Sequence, residues 1–254
     1  MDIQLNVPAS PVLVTGGASG IGEATAEALA AVKRPVAIWD LQADKAQAVA
    51  ARLAEQYGVP CLGLGIDLRD PAAIAPALGQ TRAELGAPGG LVHAAGVVDQ
   101  SGLENLTADS WDLVLNVNLR AMALLVQAML PDLRANPGSA VVGIASINAT
   151  LGNGLIPSYS ASKGGMLSMV RSIADALGAD GIRVNSVSPG QILTPMVAPI
   201  AAARPGHFER RIILGRLGQP AEIGRVVRFL LSDEASYINA AEIVVDGGNI
   251  SSQR

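Results

Sequence analysis

This chain predicts an α/β fold built on a parallel sheet with helices on both faces. Three observations point there. Apolar, β-branched runs alternate with Ala/Leu/Glu-rich stretches of 3.6-residue periodicity along the chain. The apolar runs are nearly continuous, as strands covered on both faces must be. A glycine-rich turn, Thr15-Gly16-Gly17-Ala18-Ser19-Gly20-Ile21-Gly22, follows the first of those runs directly and opens a helical stretch.

Taken in order, the expected strands are Pro11–Thr15, Val36–Trp39, Cys61–Ile66, Gly90–Ala94, Ala140–Ala145, Ile182–Ser188 and Glu242–Val245. The expected helices are Gly20–Val32, Ala43–Tyr57, Pro71–Leu85, Ala108–Leu133, Ser158–Leu177 and Ala221–Leu231. Pro189 to Gly218 breaks the rhythm with Pro189, Pro195, Pro199 and Pro205, and a loop of that length in a compact domain is usually functional. No Pro-, Gly- or Ser-rich linker and no repeat divides the sequence, so one domain is expected over residues 1–254. Its cofactor half would run over about 11–100 and its catalytic half over about 105–254.

Composition excludes several functions. Half of the 254 residues are hydrophobic but only 3% are aromatic, so the core is expected to be mostly Ala, Val, Leu and Ile. A net charge of −4 and a pI near 5.2 carry no nucleic-acid footprint. Cys61 alone cannot form an internal disulfide; it fits a reducing compartment and reads as a small buried hydrophobe. Met1 to Ser10 has neither the basic nor the apolar part of a signal peptide. No uninterrupted apolar run reaches the roughly 18 residues of a bilayer span, since Gln127 interrupts the best stretch. A cytoplasmic protein with no membrane partner is the expectation.

The glycine turn has the context that makes such a motif informative. Gly16 permits the tight turn, Gly20 lets backbone approach a pyrophosphate, and Gly22 lets the helix pack closely. The helix beginning near Gly20 and Ile21 presents free N–H groups and a positive dipole end to phosphates. Asp40 ends the second strand, near the roughly 20-residue spacing expected of the acid that hydrogen-bonds the adenosine ribose. A carboxylate there repels a 2′-phosphate. Leu41 and Gln42 follow it, and Ser19 rather than a basic residue precedes Gly20, so NAD is expected over NADP. Asp67-Leu68 ends the third strand at the same edge, where the carboxylate can accept the adenine amino group. Ala94-Ala95-Gly96 after His93 lets backbone lie against the cofactor.

A second constellation lies far along the chain. Tyr159 and Lys163 are four apart in a helical stretch and share a face. A phenol of pKa near 10 is a poor base at neutral pH. An ammonium ~5 Å away at an effective dielectric of ~20 contributes roughly 3 kcal/mol, or about two pK units, toward ionising it. Ser146, ending the fifth strand, can hydrogen-bond a substrate oxygen. The two constellations together read as a nicotinamide-dependent oxidoreductase of an alcohol or carbonyl.

At this point the chain resembles the short-chain dehydrogenase/reductase family, in its short single-domain branch. The resemblance spans nearly the whole chain. It is carried by TGGASGIG at 15–22, DL at 67–68, HAAG at 93–96, VNL at 117–119, IAS at 144–146, YSASK at 159–163, SPGQILTPM at 188–196 and DGG at 246–248. It implies a Rossmann-type, doubly wound parallel sheet of seven strands. It assigns Asn118 as a fourth catalytic residue beside Ser146, Tyr159 and Lys163, holding a helix kink and a water in a proton relay through Lys163. Lys163 would also hold the nicotinamide ribose, Pro189-Gly190 would turn beneath the nicotinamide, and Ile192 and Thr194 would bind its carboxamide. Two departures stand out: the fourth-strand motif usually begins with Asn but here with His93, and Ala121 replaces a usual Gly.

The resemblance also places a substrate pocket between the Ser–Tyr pair and the loop after Pro-Gly, at Asn148, Leu151, Leu155, Gln191, Met196, Ile200 and Phe208. Most are apolar, so a medium-sized, largely apolar alcohol or ketone is expected. Arg204, His207, Arg210 and Arg211 on that loop read as solvated, unless one Arg turns inward toward a substrate carboxylate. A 3-oxoacyl reductase of a carrier protein or CoA is the alternative, with Arg134 and Arg171 as docking contacts. A non-catalytic dinucleotide sensor is a further one, and enoyl reduction is disfavoured by the Tyr-to-Lys spacing. A metal site is not expected, because His93 and His207 lack an accompanying carboxylate cluster. A homotetramer or homodimer is expected from the apolar Met122, Leu125, Met129, Met166, Leu167 and Met169.

Overall fold

The computed structural model describes residues 8–251; part of the segment read as lacking a leader, 1–7, lies outside them, as do 252–254. The strands are β1 (Val12–Thr15), β2 (Val36–Asp40), β3 (Cys61–Gly65), β4 (Gly90–His93), β5 (Ala140–Ile144), β6 (Arg183–Pro189) and β7 (Glu242–Val245). They form one sheet in the order β3-β2-β1-β4-β5-β6-β7, every pairing parallel. The chain winds outward from β1 in one direction, then returns to β4 and winds in the other. That reversal leaves a crevice at the carboxyl ends of β1 and β4, where ligands of such sheets bind.

Strand side chains alternate between two cores, as a period of two requires. Val12, Val14, Ile38, Val92 and Val142 face one core, shared with α1 (Gly20–Ala30), α2 (Ala43–Tyr57) and α8 (Pro220–Leu230). Leu13, Trp39, Leu91, Val141 and Val184 face the other. It is covered by α3 (Ile74–Leu85), α5 (Ala121–Ala135) and α6 (Pro157–Leu177). This is the doubly wound arrangement expected from the sequence.

The long helix expected over Ala108–Leu133 is not uniform. It is α4 (Ala108–Leu115), then a π-helical turn over Asn116–Arg120, then α5. Thr107 and Ser110 cap its start reciprocally. The whole run Ala108–Ala135 is, by length and composition, apolar enough to cross a bilayer. Its stripe Met122, Leu125, Met129 and Leu133 instead packs against the sheet, each at most 1% exposed.

That packing corrects the argument for an oligomer. Met122, Leu125, Met129, Met166 and Leu167 are buried within the chain, because the flat sheet face is wide enough to cover them. Large apolar side chains stay exposed elsewhere, at Trp111 of α4, Tyr237 and Val244 of β7.

At the far end of the sheet two guanidinium groups are buried against the C-terminus of α8. Arg34 donates to the Leu231 and Ser10 carbonyls at 2.8 and 2.9 Å, and Arg183 to those of Leu230 and Ser232 at 2.8 and 3.0 Å. They satisfy carbonyls that a helix end leaves unpaired and meet its negative dipole end. Burial pushes Arg34 down to about 10, with the Asp233 carboxylate opposing it.

Candidate active site

A cleft of about 590 Å³ opens at the carboxyl ends of the central strands. The glycine turn forms one wall. Gly16 sits at φ +63°, and a Cβ there would lie 2.7 Å from the Ala95 backbone. A Cβ at Gly22 would lie 2.1 Å from the Gly16 carbonyl, so only glycine lets α1 start flush on the turn. Ser19 makes no side-chain cap, so it supplies no acceptor to the first-turn amides of Gly20, Ile21 and Gly22. Across the cleft the Thr194 methyl lies 3.3 Å from where a Gly20 Cβ would be, so the segment after β6 forms the facing wall. Free amides, a positive dipole end and a cradle that side chains would fill fit a dinucleotide pyrophosphate.

The strand ends furnish the part of the cleft where the adenosine is expected. Asp40 accepts the Ala18 amide at 3.1 Å and the Gln42 amide at 3.0 Å, one on each oxygen. It therefore braces the glycine turn, and each oxygen keeps a further lone-pair direction. Asp67 and Leu68 also line the cleft, but the Asp67 carboxylate is forked by Arg69, with Nη2–Oδ2 at 2.6 Å. The Arg69 hydrogen bond holds the Asp67 carboxyl below its ordinary value. Arg69 lines the cleft too and was not singled out from the sequence, although an Asp-x-Arg at a strand end is a signal for such a fork.

Leu41, Ala94, Ala95, Gly96, Pro189, Gly190, Ile192 and Thr194 complete the wall expected for the cofactor. Leu113 and Val117 join it unforeseen, four apart on one helical face just before Asn118.

The reacting end is floored by Ser146, Tyr159 and Lys163. Ser146 is fixed as the cap of a 3₁₀ turn over Ile147–Ala149, its Oγ accepting the Asn148 amide at 3.1 Å. Lys163 is 3% exposed and donates to the Ile144 carbonyl at 2.6 Å. Burial pushes its ammonium down to about 8. Its Nζ stands 5.6 Å from the Tyr159 ring centroid. The phenol is nevertheless raised above its ordinary value, because burial outweighs the lowering effect of its hydrogen bond to Ser146. The sequence-based expectation of a phenol pulled down by the neighbouring ammonium omitted this shared desolvation, which disfavours the phenolate and the ammonium alike.

Asn118 does not line the cleft. It is fully buried in the π turn, accepting the Val97 amide at 2.8 Å and donating to the Val97 carbonyl and Ser162 Oγ, both at 3.0 Å. It latches the loop after β4 onto α6. A Cβ on Gly96 would sit 3.6 Å from Asn118 Oδ1 and 3.7 Å from Lys163 Nζ, so the two groups flank one spot beside Gly96.

The substrate side differs most from expectation. Of the loop residues, Met196 lines the cleft, but Asn148, Leu151, Leu155, Gln191, Ile200 and Phe208 do not. For Ile200 and Phe208 the cause is order within the 189–218 segment. An Ile192–Gly218 bridge pins its two ends, and the Thr194 carbonyl turns the chain into α7 (Ala198–Ala203). The wall therefore stops at Val197. Phe208 packs edge-on against His207, with ring centroids 5.1 Å apart. Asn148 Nδ2 still lies 3.5 Å from Ser146 Oγ. Arg204, Arg210 and Arg211 are exposed and outside the wall.

The family model described as enoyl-(acyl carrier protein) reductase matches residues 16–249. The chain belongs to the short-chain dehydrogenase/reductase family. It is 37% identical over 237 residues to the cis-4-hydroxycyclohexanecarboxylate dehydrogenase of Sinomonas cyclohexanicum, covering 93% of this chain and 94% of that one. It is 33% identical over 244 residues to the 3-oxoacyl-(acyl-carrier-protein) reductase FabG of Escherichia coli, covering 96% and 98%. The L-sorbose reductase of Gluconobacter frateurii, solved with NADPH and L-sorbose, matches with a TM-score of 0.91 at 25% identity, over 98% of this chain and 100% of that one. The family binds a nicotinamide dinucleotide and is made up of oxidoreductases acting on CH–OH groups and carbonyls.

Proposed function

We propose that this chain is an NAD-dependent oxidoreductase that interconverts a secondary alcohol and a ketone, with Tyr159 as the acid/base. The observation that carries the reading is one cleft with two chemistries: Ser146, Tyr159 and Lys163 on its floor, and the glycine turn with Asp40 on its wall. The nicotinamide supplies or accepts the hydride. Ser146 orients the substrate oxygen through its hydroxyl. Tyr159 gives that oxygen a proton during reduction and takes it back during oxidation. A phenol raised by burial is the protonated form that ketone reduction needs. Lys163 holds a positive charge beside the phenol and would donate to the ribose hydroxyls of a bound nicotinamide nucleotide. Asn118 keeps the loop after β4 seated on α6.

Asp40 supports NAD over NADP, since its free lone pairs suit ribose hydroxyls and its charge opposes a 2′-phosphate. Arg69, which lines the cleft, is paired with Asp67. Met196, Val197, Val97 and Leu113 add apolar surface to the cleft that holds Ser146, Tyr159 and Lys163. A medium-sized, largely apolar substrate is the reading, with Asn148 beside Ser146 rather than in the cleft wall. The protein is taken as cytoplasmic and as a homotetramer or homodimer.

Similarity to FabG keeps 3-oxoacyl reduction as a second reading. Arg134, one of its expected docking contacts, is held by Asp180 at 2.8 Å, which weakens it. A spectrophotometric comparison separates the readings: a neutral cyclic or aryl ketone against a 3-oxoacyl thioester, each with NADH and with NADPH. Faster turnover of the neutral ketone with NADH is expected; preference for the thioester with NADPH would establish the second.

A further inference from the structure

His93 stands where the family motif usually has Asn, and it takes no part in the cleft wall. It is 0% exposed at the end of β4, and both ring nitrogens have partners. Nε2 lies 3.1 Å from the Val117 carbonyl. A carbonyl can only accept, so Nε2 carries the proton. Nδ1, 3.0 Å from Thr15 Oγ1, is then the acceptor of the Thr15 hydroxyl. Thr15 Oγ1 in turn accepts the Ala95 amide at 3.3 Å. One directed chain therefore runs from Ala95 N–H through Thr15 and His93 to the Val117 carbonyl.

Its ends are the two devices on which the site depends. Thr15 is the register partner of His93 across the switch point and precedes Gly16, whose turn lies on the Ala95 backbone. Val117 precedes Asn118 in the π turn, where the ordinary helical ladder is interrupted. Strand pairing fixes Thr15 against His93, and the imidazole ties that pair directly to the π turn, beside the Asn118–Val97 bonds of the loop that follows.

We propose that His93 is a positioning residue that holds the cofactor turn and the Asn118 turn in one frame, acting as a neutral imidazole protonated on Nε2. A second proton would reverse the Thr15 contact and set a cation near the Lys163 ammonium. Lys163 of α6 is the charged neighbour that opposes this, and burial with that charge pushes the imidazole down to about 3. An asparagine amide also offers one donor and one acceptor, so it is the conservative replacement.

The test begins with nitrogen NMR of histidine-labelled protein, in which the two histidines, His93 and His207, keep the spectrum simple. One histidine should remain the neutral Nε2–H tautomer from about pH 5 to 9, well clear of the ordinary value near 6.5, and its signal should vanish in His93→Asn. A His93 signal that titrates in that range, or that shows the Nδ1–H tautomer, overturns the proposal. The second readout is turnover per NADH-binding site. His93→Leu should lower kcat about 10- to 100-fold, as small misplacements of reacting groups do, with the substrate KM little changed. His93→Asn should recover most of the loss. Should His93→Leu not fold, the near-isosteric Thr15→Val breaks the same chain and should lower kcat in the same sense. Full kcat per site in the folded variant, with only the Tm reduced, would make His93 merely structural and refute the inference. The kinetic arm rests on the oxidoreductase reading. Failure of that reading shows as absent turnover in the unmodified protein, whereas failure of this inference shows as full turnover in the variant.

Discussion

The floor of the cleft and its rim are held in different ways. The floor and the side chains behind it are buried: Ser146 is 7% exposed and Lys163 3%, and Asn118 and His93, which stand outside the cleft wall, 0%. Ser146, Lys163 and His93 each hydrogen-bond backbone of a strand or helical turn, and Asn118 holds the loop after β4 at Val97. The rim is made of turns and short helices whose large side chains face outward, with Leu155 65% exposed and Met196 46%. The lesson is a division of labour: the sheet supplies chemistry with little tolerance, and the loops supply recognition that can change without disturbing it.

The largest effect expected from breaking this contrast is at the floor. Tyr159→Phe removes one hydroxyl and leaves ring and helix in place. Turnover should fall about 10²- to 10⁴-fold, the usual contribution of a general acid/base, while NADH affinity measured by fluorescence titration stays nearly the same. Retention of more than about a tenth of the activity would remove the phenol from its assigned role.

The opposite end of the sheet separates stability from chemistry. Arg34→Ala leaves the Leu231 and Ser10 carbonyls without their buried donor. Denaturant unfolding should show a loss of about 2–4 kcal/mol, with kcat of the folded enzyme unchanged. A loss of kcat without a loss of stability would mean that the far end communicates with the floor.

A smaller shift is expected at the adenosine end. Asp40→Ala with Leu41→Arg should move preference toward NADPH by about tenfold or more, because a repulsive carboxylate gives way to a guanidinium. Equal kcat/KM ratios before and after would show that Asp40 serves only to brace the Ala18 amide. The rim should respond least. Met196→Ala should raise the KM for an apolar ketone severalfold, roughly the 1–3 kcal/mol at most of a lost apolar contact, and leave kcat within about twofold. A large kcat effect there would erase the distinction between floor and rim.

How far the sequence could be read follows the same line. Strand ends were legible because a strand, a glycine and a helix start are local patterns, and parallel register then carries Gly16, Asp40, Asp67 and Gly96 to one edge. Tyr159 and Lys163 were legible because a helix fixes which residues share a face. The π turn at Asn116–Arg120 was not visible as periodicity, and only the family resemblance pointed to a kink there. Arg34 and Arg183 carry no local signal in the sequence, since nothing nearby shows that a distant helix terminates on them. The wall beyond Met196 was misplaced because the Ile192–Gly218 bridge joins residues 26 apart, and no local pattern predicts that pairing. The direction of the Tyr159 shift was missed for a different reason: charge was counted and burial was not.

The central claim is a direct hydride transfer to a carbonyl held over Ser146 and Tyr159. The most direct measurement uses NADH deuterated at the nicotinamide C4, with a neutral ketone in ordinary water, and locates the label in the product by NMR. We expect deuterium on the carbinol carbon from one face of the nicotinamide only, with the hydroxyl proton from solvent, and loss of that product in Tyr159→Phe. Product formed without label at that carbon, or unaffected by the substitution, would contradict the account.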